Sequence, residues 1–241
     1  RLLLVDRAFC VGERGPALCR AAAAALRTAP GALRRRFCAL EGGRGQSTEA
    51  DHVAWWTAGS AAGTSDALDD DEVEAVCRLN GMRLAVVDER QGTRQAAQTA
   101  VFLLASLMNH SCVPSVTRHF LGNAIFVRAA RRLDVGDEIS TSYTPAPATL
   151  AERVELLASY GFACDCLRCR LEACAPPSLL CSATTRGLAP KEVALAACRT
   201  AKEAERAVIA KAPESLLCEA GDAGLDLGGL FLASAFNDLM A

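Results

Sequence analysis

The sequence predicts an α+β protein. Three observations carry that reading. Ala- and Leu-rich stretches opened by proline or by acidic residues read as helices. Two β-rich runs flanking Gly122-Asn123 read as a hairpin. A cysteine cluster, Cys164-x-Cys166-x2-Cys169, reads as a metal-bound tail beyond the strands.

Composition bounds the function. At 241 residues the chain can bury one large or two small domains. With 51% apolar residues and a net charge of −2, it is a poor candidate for nucleic-acid binding as its main work. A monomer is expected. No apolar stretch has the length of a membrane span. Of the 12 cysteines, Cys10, Cys19, Cys38, Cys77, Cys198 and Cys218 stand singly in apolar, Ala-rich text. They read as buried reduced thiols in a reducing, intracellular compartment, cytoplasmic or nuclear or both. The chain begins at Arg1 rather than Met, so a segment upstream is expected and targeting signals cannot be judged.

Taken in order, Leu2 to Val5 is a short apolar run that fits a buried strand. Pro16 to Thr28 reads as a helix, Pro30-Gly31 breaks it, and Ala32 to Leu40 reads as a second helix. Gly42 to Ser65 reads as a loop tacked to the core by Trp55 and Trp56. Asp69 to Glu72 opens a helix to about Leu79, with acid at its positive end and with Asn80-Gly81 as its stop. Met82 to Val87 reads as a strand and Asp88 to Thr93 as a polar turn. Ala96 to Met108 is apolar at helical spacing and drops abruptly into Asn109-His110-Ser111-Cys112. The hairpin at Gly122-Asn123 comes next, then a turn at Gly136, and Ile139 to Tyr143 as a strand. Leu150 to Tyr160 reads as an amphipathic helix. Pro176-Pro177 marks a boundary, beyond which Pro190 to Ala212 and Leu216 to Ala241 read as helical.

Two features bear on chemistry. Cys164, Cys166 and Cys169 form a compact thiolate set suited to tetrahedral zinc, which takes a fourth sulfur or nitrogen; the candidates are Cys112, Cys174 and Cys181. Asn109, His110, Tyr143 and Phe162 each have an ordinary structural reading: a helix end, a satisfied polar residue, and two packing aromatics. No paired carboxylates, no Ser-His-Asp spacing and no phosphate-cradling glycine loop stands out.

The combination is more specific than its parts. Asn109-His110-Ser111-Cys112-x-Pro114, a hairpin, then Gly136-Asp137-Glu138-Ile139 and Ser142-Tyr143 resembles the core of a SET-domain methyltransferase. Tyr160-x-Phe162-x-Cys164-x-Cys166-x2-Cys169 resembles the post-SET tail of the SMYD (SET and MYND) branch. The resemblance covers residues 76 to 172 well and 1 to 12 weakly. It implies a SET-type fold of short β-sheets whose C-terminal segment threads beneath a loop, an exception to the no-threading rule. It divides the chain into SET core at 1–12, a helical insert at 13–75, SET core at 76–163, a zinc-binding post-SET tail at 164–172 and a helical region at 173–241.

That resemblance also implies S-adenosylmethionine as cofactor, a structural Zn2+, and lysines of histone or non-histone proteins as substrate. Carried over residue by residue, Asn80, Asn109, His110, Tyr143 and Phe162 touch the cofactor: Asn80 its polar end, His110 through its backbone near the adenine, Phe162 by packing on the adenine. Tyr143 is the catalytic residue. Cys112 completes the zinc set of Cys164, Cys166 and Cys169. Two departures are visible. The family's opening Gly-x-Gly strand is not present, and residues 10 to 75 lack the paired cysteines of a MYND finger. The competing reading is a catalytically inactive SET-like, zinc-stabilised binding module.

Overall fold

Twelve residues, Leu2–Glu13, form the first strand, β1, carrying the Leu2-to-Val5 run far beyond its apolar end. Its long course is set by pairing on both sides, against Gln98–Phe102 and against Ala124–Ala129. The computed structural model describes residues 1–40, 69–84, 87–88, 93–94, 98–146, 148–175, 190–229 and 231. They form two compact units, Arg1–Asn109 with Val116–Asp137, and His110–Ser115 with Glu138–Ala241.

In the first unit, α1 (Pro16–Thr28) has proline in its first turn and buries Leu18 and Ala22. Helix α2 (Gly31–Cys38) follows Pro30. Helix α3 (Asp70–Asn80) opens on a capping box: Asp69 accepts the Glu72 amide at 2.9 Å, and Glu72 accepts the Asp69 amide at 3.0 Å. Gly81 ends this helix in extended backbone, φ −70°, not in the left-handed region. A glycine is needed there for space, since a Cβ would lie 2.6 Å from the Cys77 carbonyl oxygen and 2.9 Å from Thr99 Cγ2. The expected Met82-to-Val87 strand is two pieces, β2 (Gly81–Arg83) and β3 (Val87–Asp88), the latter paired with β4 (Thr93–Arg94).

The helical reading of Ala96 to Met108 is wrong. Gln98–Phe102 is a strand, β5, followed by a single 3-10 turn at Ala105–Leu107. The physical reason is two-sided burial. Ala100 and Phe102 pack into one core with Ile125 and Val127, while Val101 and Leu103 pack into another with Leu18, Phe37 and Val76. A strand covered on both faces reads as one continuous apolar run, which periodicity cannot distinguish from a helix. The Asp6 carboxylate then accepts the amides of Leu104 and Ala105 at 2.8 and 3.1 Å and holds the turn that leads to Asn109.

Past the ribbon strand β6 (Asn109–His110), β7 (Val116–Leu121) and β8 (Ala124–Ala129) form the expected hairpin, with Gly122 at φ 56°. The main sheet is five-stranded and antiparallel, in the order β2-β5-β1-β8-β7.

In the second unit the expected strand at Ile139 to Tyr143 shrinks to β9 (Ser140–Thr141), which pairs with β6. Ser115 and Ser140 lock this segment: each backbone amide donates to the other residue's hydroxyl, at 3.2 and 2.8 Å. Helix α4 (Leu150–Ala158) opens on a second capping box, Thr149 with Glu152. Helix α5 (Leu167–Ala173), which the sequence reading did not anticipate, starts inside the cysteine cluster. It packs through Leu171 with α6 (Pro190–Lys211) and α7 (Glu214–Asp222) around Ala204, Val208, Leu216 and Phe231.

The single cysteines divide. Cys10 and Cys77 are buried as expected, Cys19 and Cys38 are half-buried, and Cys198 and Cys218 are exposed, because they fall on the outer faces of α6 and α7. The Gly42-to-Ser65 loop with its tryptophans, Pro176-Pro177 and Cys181 lie outside the described residues. No helix among the described residues is long and apolar enough to cross a membrane.

Candidate active site and metal centre

The second unit gathers one aromatic group and one thiol group, and His110 belongs to both. Its Nδ1 accepts the Tyr143 amide at 2.9 Å. That bond assigns the ring proton to Nε2, which lies 3.2 Å from Cys112 Sγ and donates to it. The ring also packs on Tyr143 at a centroid separation of 5.2 Å and on Phe162 at 5.9 Å. Tyr143 in turn meets Phe162 edge-on at 6.4 Å and Tyr160 at 5.2 Å. Gly161, at φ 81°, makes the turn between Tyr160 and Phe162 in a conformation that strains an L side chain. Phe162 remains 39% exposed, an aromatic face available to a flat ligand.

Cys112, Cys164, Cys166 and Cys169 have their sulfurs within 4.8 Å of one another. Cys112 Sγ is 3.9 Å from that of Cys164 and 3.6 Å from that of Cys169. Tetrahedral zinc at about 2.3 Å from each sulfur sets neighbouring sulfurs about 3.8 Å apart, so the set fits that ion. Cys174 does not join it; its thiol donates to the Arg170 carbonyl of its own helix at 3.4 Å. Without a cation, the thiols of Cys112, Cys166 and Cys169 do not ionise together. Hydrogen bonds from Cys112 and Cys169 hold the Cys166 thiol far below its usual range, and the same bond to Cys166 pushes Cys112 far above it. Cys169, favoured by Cys112 but opposed by Cys166 and by burial, is pushed up to about 12. A divalent cation removes this conflict by favouring all four thiolates.

Asn80 and Asn109 belong to the first unit. Asn80 is buried and its amide donates to the Val76 carbonyl at 2.9 Å, while Asn109 is exposed. Two residues of the second unit escaped the sequence reading. Tyr160 was seen as part of a motif but not as a neighbour of Tyr143. Arg153 stands in the sequence only as one residue of the amphipathic helix Leu150 to Tyr160, yet it is buried with Leu157, while Val154 and Leu156 face solvent. That inverted phase, apolar residues outside and arginine inside, was the available signal.

Comparison with known proteins agrees with this geometry. Residues 27–144, just under half of the chain, match the SET domain family model. The chain is 36% identical over 124 residues to the protein-lysine N-methyltransferase SMYD4 of Mus musculus, covering 48% of this chain and 15% of that protein. It is 32% identical over 141 residues to the N-lysine methyltransferase SMYD2-B of Xenopus laevis, covering 56% of this chain and 33% of that protein. It is 38% identical over 82 residues to the SET domain-containing protein SmydA-8, isoform A, of Drosophila melanogaster, covering 33% of this chain and 18% of that protein. The chain thus spans a third or less of the length of these relatives. Taken with the α+β fold and the thiol cluster beside the paired His110 and Tyr143, these matches make residues 27–144 similar to a SET domain and the chain similar to SMYD-family proteins.

Proposed function

We propose that this chain carries the methyl-transfer site of a protein-lysine N-methyltransferase, with S-adenosylmethionine as donor and a structural zinc. The observation that supports it most is the His110 ring, which ties the Tyr143 backbone to the Cys112 sulfur and so makes the tyrosine and the thiol cluster one assembly. The exposed face of Phe162 beside His110 suits an adenine, and the resemblance to the family also assigns Asn109 and Asn80 to the cofactor. Cys112, Cys164, Cys166 and Cys169 hold the zinc, which is structural.

When bound, S-adenosylmethionine supplies an activated methyl on a sulfonium for in-line displacement by an amine. The protein's share is placement and electrostatics. The Tyr143 hydroxyl orients the incoming amine. Tyr143, Tyr160 and Phe162 exclude water and favour the neutral form of a lysine amine. The His110 bond to the Tyr143 amide fixes the backbone from which that hydroxyl projects. Histone and non-histone proteins are both admissible substrates, and the protein acts as a monomer in the cytoplasm or nucleus.

The test is thermal stabilisation of the full-length, zinc-loaded protein by S-adenosylmethionine, followed by radiolabelled methyl transfer to mixed protein extract. Stabilisation with lysine labelling is expected. Binding without any labelling would favour the inactive binding module instead.

A further inference from the structure

Behind the thiol cluster lies a buried ionic network with no part in the mechanism above. Arg153 and Glu172 are each 1% exposed. Every nitrogen of the Arg153 guanidinium is engaged. Nε donates to Cys112 Sγ at 3.2 Å, Nη1 donates to the Ala148 carbonyl at 2.6 Å, and Nη2 donates to Glu172 Oε2 at 2.6 Å and to Cys169 Sγ at 3.8 Å. Arg168 completes the network without touching sulfur. Its Nε donates to Glu172 Oε1 at 2.7 Å, and its two terminal nitrogens donate to the carbonyls of Ala146 and Ala148 at 2.8 and 3.2 Å.

A buried arginine is expensive, and a helix that only needed to pack would place a leucine here. The charge finds its reason in the sulfurs. Four thiolates around a divalent cation carry two formal negative charges in a buried setting, and N–H donors to the sulfurs disperse that charge. Lysine cannot reproduce the planar fork that reaches two sulfurs and a carboxylate at once.

We infer that Arg153 is a positioning residue of the thiolate centre: it donates to Cys112 and Cys169, compensates their charge and slows loss of the metal, with Glu172 and Arg168 holding it in place. The inference rests on the zinc reading above. It also gives the network a reach toward the aromatic group, because Arg153 donates to the carbonyl of Ala148 and Arg168 to those of Ala146 and Ala148, between Tyr143 and α4 in the chain.

Zinc content and zinc release to a chelating dye separate the possibilities. Wild type, Arg153→Lys, Arg153→Met and Arg168→Lys are compared, with circular dichroism as the check on folding. Release should be about tenfold faster or more in both Arg153 variants, the usual consequence of losing a partner of a metal ligand. Arg168→Lys should stay within a few fold of wild type, because it disturbs the same ionic network but no sulfur. Equal release from Arg153→Lys and wild type overturns the inference, as does equal acceleration by the Arg153 and Arg168 variants. In zinc-loaded wild type, N-ethylmaleimide should modify Cys164 and Cys166 before Cys112 and Cys169, and the reverse order also overturns it. This arm stands even where a variant does not fold. Wild type purified without zinc, and unable to take it up, removes the zinc reading and this inference together; zinc held equally well by every variant removes the inference alone.

Discussion

The Nδ1 atom of His110 accepts the backbone amide of Tyr143 at 2.9 Å, so the sequence neighbour of Asn109 sets the backbone of a tyrosine far along the chain. Replacing the ring with an aromatic ring that lacks nitrogens removes this bond together with the one to Cys112. His110→Phe leaves the Tyr143 amide without that acceptor and should cost about 1–3 kcal/mol of stability. Equilibrium urea unfolding should show a lower midpoint at unchanged slope. An unchanged midpoint would mean the amide finds another partner at no cost.

Tyr143→Phe keeps the ring contacts with His110, Tyr160 and Phe162 and removes only the hydroxyl. If that hydroxyl acts in the transition state, the methylation rate falls about tenfold or more, roughly 1.4 kcal/mol of barrier, with cofactor affinity within a few fold and zinc retained. Radiolabelled methyl transfer and calorimetry read the two effects separately. Equal rates would assign the tyrosine to packing.

Asn109 is exposed at the end of the first unit, held there by the turn that Asp6 caps. Asn109→Ala should weaken S-adenosylmethionine binding by roughly 1–3 kcal/mol, the cost of a lost hydrogen bond to a charged group. Calorimetry that shows the same affinity in a folded variant takes Asn109 out of the pocket.

The thiol cluster predicts about one zinc per chain by elemental analysis, lost in Cys112→Ser and kept in Cys174→Ser, whose sulfur bonds its own helix. The pH dependence has a definite sign. Zinc binds thiolates, so acidification returns protons to the sulfurs and releases metal, and zinc occupancy falls as pH falls. Retention in Cys112→Ser with loss in Cys174→Ser would reverse the ligand assignment.

Gly81→Ala tests the first unit alone. The added Cβ would sit 2.6 Å from the Cys77 carbonyl and 2.9 Å from Thr99 Cγ2, forcing α3 away from β5. We expect a loss of about 1–3 kcal/mol in urea unfolding. A neutral effect would show that this helix end can shift freely.

What the sequence determined by itself was local. The capping pairs Asp69 with Glu72 and Thr149 with Glu152, Pro16 in a first turn and Gly122 in a hairpin all act within a few residues, so the chain spells them out directly. The cysteine triplet was legible for the same reason, since short spacing lowers the cost of gathering ligands. Tertiary structure decided the rest. It made Gln98–Phe102 a strand by covering both of its faces, a fact no window of residues contains. It placed Cys112, and not Cys174, with the triplet by bringing a sulfur from far along the chain to within 3.6 Å of that of Cys169. It also turned Arg153 inward onto two sulfurs and a carboxylate, where the buried Glu172 offsets the desolvation of the guanidinium.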